Sequence, residues 1–69
     1  MPMNRPNFRQ SNDIRRLTND GQYRYKITRF HDGDITVRIY KGNITQRYII
    51  DASGHVFQET VYRGRPRIG

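Results

Sequence analysis

From Gln22 onward, apolar and polar residues alternate along the chain. Tyr23, Tyr25 and Ile27 alternate with Arg24, Lys26 and Thr28. Ile35, Val37 and Ile39 alternate with Thr36, Arg38 and Tyr40. Ile44, Tyr48 and Ile50 alternate with Thr45, Arg47 and Ile49, and Gln46 interrupts the apolar row. A period of two sends successive side chains to opposite faces of a strand, so each run predicts a half-buried strand. Val56–Tyr62 is a fourth β-rich run. The separators His31-Asp32-Gly33, Gly42-Asn43 and Ala52-Ser53-Gly54 supply the Gly, Asn and Asp of tight hairpins. The expected fold is mainly β, a small α+β domain built on a four-stranded antiparallel meander over residues 22–62.

Upstream the period changes. Ser11, Asn12 and Asp13 are N-cap residues, Ile14 and Leu17 are three apart, and Gly21 is a C-cap. This predicts a short helix over residues 12–19, which at two turns must lie on the sheet to persist. Residues 1–10 hold two prolines, several amides and a lone Phe8, and predict an extended arm. The organisation is then an arm (1–10), one small domain (11–62) and a basic tail (63–69).

Loop length decides which residues share a face. A three-residue loop at His31-Asp32-Gly33 sets Ile27 opposite Val37, Tyr25 opposite Ile39 and Arg29 opposite Ile35, with the apolar rows together. A two-residue loop at Gly42-Asn43 pairs Val37 with Tyr48, Ile35 with Ile50 and Arg38 with Arg47. Lys26, Arg38 and Arg47 then form one row of cations across three strands, on the face away from the core. Thr28, Thr36 and Thr45 flank that row, and Arg24, Tyr40 and Phe30 share its face. At the third turn two registers stay open. A three-residue loop sets Glu59 opposite Arg47 and brings Ile49, Phe57 and Val61 to the basic face. A four-residue loop turns the apolar residues of the last strand to the core.

The charge balance gives that row a meaning. The 69 residues carry 13 Lys+Arg against 6 Asp+Glu, a net charge of +7, which calls for an anionic partner. Eleven of the 13 cations are Arg, the side chain suited to forked recognition of phosphate and to stacking on bases. Like charges directly opposite each other destabilise a sheet, so a row of them suggests use rather than packing. Cations interleaved with flat rings suit phosphates and bases respectively. The residues singled out for nucleic acid are Arg24, Lys26, Arg38, Tyr40 and Arg47 on the sheet, and Arg63, Arg65 and Arg67 in the tail.

The tail has its own signature. Arg63-Gly64-Arg65-Pro66-Arg67 resembles an AT-hook, whose centre is Arg-Gly-Arg-Pro. The resemblance implies insertion into the A·T minor groove, with Arg63 and Arg65 extended along its floor. Glycine permits close approach, proline holds the chain extended, and a narrow groove attracts Arg. The proline that usually precedes the first Arg is replaced by Tyr62, and the flank has no lysines.

Other chemistries find little support. The chain has no Cys and two His, which falls short of a zinc set, and no disulfide is expected. His31 and His55 sit in turn segments, where such residues usually serve the turn. No Gly-rich phosphate loop opens a helix. A thin core leaves little wall for a catalytic pocket, so no enzymatic activity, metal or cofactor is expected. No 18-residue apolar run or secretory leader is present, which predicts a soluble cytoplasmic protein, associated with nucleoid or nucleus if it binds DNA.

The leading expectation is a small non-enzymatic nucleic-acid-binding protein, with DNA slightly favoured over RNA. Two alternatives stay open. One is a protein-interaction module, such as a viral inhibitor or adaptor acting on a host polymerase or nuclease through sheet edges 22–30 or 56–62. The other is a structural subunit of a larger particle. A homodimer is compatible with so thin a core.

Overall fold

The computed structural model describes residues 5–63, with side chains to residue 59. One helix, α1 (Phe8–Leu17), precedes four strands: β1 (Arg24–His31), β2 (Asp34–Lys41), β3 (Ile44–Ile50) and β4 (Val56–Arg63). The strands pair antiparallel in the order β1-β2-β3-β4, the expected meander. Ile35, Val37, Ile39, Tyr48 and Ile50 line one face, and Ile14 of α1 packs on them. Leu17, Tyr23, Ile27 and Val56 close the margins of this core. Each side chain so buried contributes roughly 1.5–3 kcal/mol.

The helix begins earlier and ends sooner than residues 12–19, so the expected arm over 1–10 gives way to helix from Phe8. Asn7 is the N-cap. Its side chain accepts from the Gln10 backbone N–H at 2.9 Å, and Gln10 Oε1 accepts from the Asn7 N–H at 2.9 Å. This reciprocal capping box satisfies two donors that a helix start otherwise leaves orphaned. The buried residues of the helix are Gln10, Asp13 and Ile14. With Leu17 they follow helical spacing, but the first two are polar. Gln10 is 2% exposed, and its Nε2 donates to the carbonyls of Gly33 (2.7 Å), Ile50 (3.0 Å) and Asp51 (3.1 Å). Asn7 Nδ2 donates to the Ala52 carbonyl at 2.8 Å. Polar side chains therefore pin the first turn of α1 to the first and third hairpin turns. The C-cap is Thr18, ahead of a left-handed stretch at Asn19, Asp20 and Gly21.

The first hairpin departs from the three-residue loop. His31 pairs with Asp34, leaving Asp32 (φ 49°) and Gly33 (φ 86°) as a two-residue turn of the mirror-image kind that suits strand twist. A bulge at Thr28 absorbs the offset. Beyond it the expected pairs hold: Ile27 opposite Val37, Lys26 opposite Arg38 and Tyr25 opposite Ile39. Before it they change. Phe30 rather than Arg29 stands opposite Ile35, and Arg29 opposite Thr36. Phe30 thus leaves the basic face where it was expected, and Arg29 joins that face.

The second hairpin is as expected, with Val37 opposite Tyr48, Ile35 opposite Ile50 and Arg38 opposite Arg47. Gln46, which broke the apolar row, accepts a hydrogen bond from the hydroxyl of buried Tyr48. At the third turn the three-residue loop is present: the Asp51 N–H donates to the His55 carbonyl at 3.0 Å, and Ile49 stands opposite Phe57. A second bulge, at Glu59, then sets Thr60 rather than Glu59 opposite Arg47. It also shifts Val61 to the position opposite Gln46, away from the Ile49–Phe57 row. Gly54 has φ 91°, and a Cβ there would lie 3.0 Å from Arg9 Cβ and 3.1 Å from Asp13 Oδ2. Glycine at this position lets the third turn close against α1.

Candidate nucleic-acid interface

Because α1 occupies one face of the sheet, the residues of opposite parity face away from it. Among the described residues no element packs on that second face. It is organised in rows that cross the strands. Lys26, Arg38 and Arg47 form the middle row as expected, the bulge at Thr28 making up for the shorter first turn. Arg24, Tyr40 and Thr45 form the row on one side. Arg29, Thr36, Ile49 and Phe57 form the row on the other.

The middle row is unevenly balanced. Lys26 is exposed, while Arg38 and Arg47 are half-buried. Arg47 pairs with Glu59, whose side chain still reaches it from the bulge. No acidic side chain among the described residues pairs with Lys26 or Arg38, and Arg38 Nε is buried without a hydrogen-bond partner. The row therefore has one carboxylate for three cations. Cross-strand repulsion costs it a few tenths of a kcal/mol per like pair, about the scale at which such pairs act. An anion laid across the row removes that repulsion.

Beside the row lie flat rings. Tyr40 is half-buried between Arg24 on β1 and Thr45 on β3, and Thr45 itself is 1% exposed. Phe57 is 50% exposed and stacks with His55 in a tilted pair, with centroids 4.4 Å apart. His55 and Phe57 were not among the candidate site residues, and neither was Arg29. The Phe57 signal was present in the three-residue version of the third loop. The Arg29 signal was hidden by the first turn, which is one residue shorter than expected.

One acid at this end of the sheet, Asp51, is held in its turn. Asp51 Oδ1 accepts from Ser53 Oγ (2.6 Å), the His55 N–H (2.9 Å) and the Ser53 N–H (3.0 Å). These bonds, that of the Ser53 hydroxyl foremost, hold its carboxyl below the ordinary value of 3.8.

Of the tail candidates, Arg63 ends β4 opposite Ile44, so the strand runs one residue into the expected tail. Arg65 and Arg67, with most of the AT-hook-like segment, lie outside the described residues. The structure thus gathers Arg24, Lys26, Arg38, Tyr40 and Arg47 on one surface. The helix side also carries arginines, but there Arg15 pairs with Asp20 at 3.1 Å and Arg16 with Asp13. Among the described residues no three His, Cys, Asp or Glu side chains form a metal-binding group, and no helix is long and apolar enough to cross a membrane. Comparison with protein-family models, curated proteins and solved structures finds no match to the chain.

Proposed function

We propose that this is a small, non-enzymatic nucleic-acid-binding protein that holds its ligand on the helix-free face of the sheet. The observation that carries this reading is the row of Lys26, Arg38 and Arg47 over three adjacent strands, in which Arg47 pairs with Glu59 and, among the described residues, no acid pairs with Lys26 or Arg38. Phosphates are the anions that such a row suits, because they repeat along a chain as the cations repeat across the strands. Arg24 and Arg29 extend the positive surface on β1, and Tyr40 supplies a ring beside it. Arg63, Arg65 and Arg67 add a basic extension with AT-hook-like sequence. Binding of this kind releases counterions and weakens steeply with salt. Titration of DNA and RNA oligonucleotides at several salt concentrations tests it. A linear fall of log K with log salt, with a slope reduced by about 1 in Arg38→Gln, is expected. A flat plot rejects the proposal.

Addition of a partner strand at β1 is the less favoured alternative. That edge is exposed along most of its length, but it bears Arg24, Lys26 and Arg29 and is kinked by the bulge at Thr28. Charge and a bulge are devices by which sheets discourage edge pairing. A protein partner retained after nuclease treatment would favour this alternative.

A further inference from the structure

We infer that the nucleic acid taken by this face is single-stranded, with a base stacked on the exposed ring of Phe57. The inference rests on the proposed function and adds to it the class of ligand. Its ground is the placement of Phe57, which half-exposes a large apolar ring on the face that carries the cations. Ile49 stands opposite it on β3, and His55 leans on it at a centroid distance of 4.4 Å, leaving half of the residue's surface open. A ring braced in this way keeps its orientation and loses little freedom when a second flat group joins it.

The spacing suits a single strand. Phe57 lies one row from the cations, about 7 Å along the strand direction, and two strands from Arg38, about 10 Å across the sheet. One nucleotide can therefore set its base on Phe57 while neighbouring phosphates reach Arg38 and Lys26. Stacking needs no particular base, since every base has a π-face. In a duplex the base faces are already occupied by their neighbours, and an exposed ring on a sheet finds nothing to stack on. Reading a duplex groove calls for a helix or ribbon that enters it. Here α1 packs against the opposite side of the sheet, and Phe57 is not at a protruding tip.

The shared chemistry is an unpaired nucleobase next to a phosphodiester, whether on DNA or RNA. The test is fluorescence anisotropy with labelled (dT)15, (rU)15 and a 15-base-pair duplex, using the full chain and the variants Phe57→Leu and Phe57→Tyr. Leu keeps the apolar bulk and removes the flat ring, while Tyr keeps the ring. The expected result is tighter binding of the single strands than of the duplex. Phe57→Leu should weaken single-strand binding by on the order of tenfold or more, and Phe57→Tyr should restore it. Duplex binding and the salt slope should stay unchanged in both variants. A difference between the (dT)15 and (rU)15 arms identifies the sugar preferred. Thermal unfolding of each variant checks that the fold is intact. Salt-dependent binding unaffected by Phe57→Leu, or weakened equally for duplex and single strand, overturns the single-strand inference and leaves the proposed function standing. No binding of any of the three probes overturns both.

Discussion

The two sides of this sheet both display arginines, but they use them differently. On the helix side Arg15 and Arg16 each have an aspartate, Asp20 and Asp13 respectively. Gln10 and Asn7, on the same helix, spend their polar atoms on backbone carbonyls of the hairpin turns. On the opposite side Lys26, Arg38 and Arg47 stand shoulder to shoulder, and among the described residues Glu59 is the acid that pairs with the row. Net charge alone does not tell these surfaces apart. What separates them is that Arg15 and Arg16 each have an aspartate, whereas Lys26 and Arg38 pair with no acid among the described residues. The helix side is built to hold the molecule together, and the sheet side is left with charge to spare.

The sharpest way to break this contrast is to substitute neighbours in one strand that point to opposite sides. Ile39 is fully buried against the helix side, and Tyr40 is half-buried on the other. Ile39→Ala should cost about 3 kcal/mol of stability in chemical denaturation. That is a large share of the roughly 3–10 kcal/mol expected for a domain of this length. Tyr40→Ala should cost about 1 kcal/mol or less and register instead in oligonucleotide affinity. Equal losses of stability would mean that the second face is also part of the core.

Next in size is Gln10→Glu. It keeps the acceptor of the capping box but sets a carboxylate against the carbonyls of Gly33, Ile50 and Asp51. A loss of about 2 kcal/mol at neutral pH is expected, because buried acceptors would then face one another with no donor. Part of that loss should return on acidification, when the protonated acid can donate. A loss that does not change with pH would show that the amide acts by shape alone.

Gln10 also marks the limit of what the sequence revealed. Strand number, order and the second hairpin followed from alternation and turn chemistry, because β2 and β3 bury one clean side: Ile35, Val37 and Ile39 against Tyr48 and Ile50. The start of the helix was concealed for the opposite reason. Its inward positions begin with Gln10 and Asp13, while its apolar Phe8 points to solvent, 80% exposed. An apolar-periodicity search passes over such a turn. The Asn7-x-x-Gln10 capping box was the available signal. The cation row was legible although the first turn is one residue shorter than expected, because the bulge at Thr28 restores the register from Ile27 outward and the bulge at Glu59 lies on β4, outside the row. Arg29 and Phe30 went astray because they lie between a turn one residue shorter than expected and the bulge that compensates for it, and Val61 because it lies past the bulge at Glu59; one residue more or fewer transfers a segment to the other face.

Smaller effects should separate the two sets of arginines. Arg38→Gln removes a cation flanked by two others, so stability should rise by a few tenths of a kcal/mol, about the worth of one repulsive pair, while the salt slope falls by about 1. Arg16→Gln, on the helix side, should leave the slope unchanged. Glu59→Gln should act in the reverse sense to Arg38→Gln. It removes the negative charge beside Arg47, strengthening binding at low salt and steepening the slope. Equal effects of Arg16→Gln and Arg38→Gln on the slope would reduce the contrast to bare net charge.

The smallest expected effect concerns the acid that sits closest to the Phe57 end of the open face and yet does not neutralise it. Asp51 is engaged by the Ser53 hydroxyl and by the Ser53 and His55 N–H groups, which favour its ionised form and hold its pKa below 3.8. A carboxyl whose folded pKa is depressed contributes stability that is fully present above the unfolded value. That contribution is lost as pH falls through the folded value. The melting temperature should therefore drop as the pH is taken below 3.8, and Asp51→Asn should flatten that part of the profile while lowering stability only slightly at neutral pH. Oligonucleotide affinity at neutral pH should hardly change in Asp51→Asn, because the carboxylate is already committed to its turn. A marked rise in affinity would show that Asp51 opposes the ligand, and that the balance of charge on the open face includes an acid which the turn does not hold back.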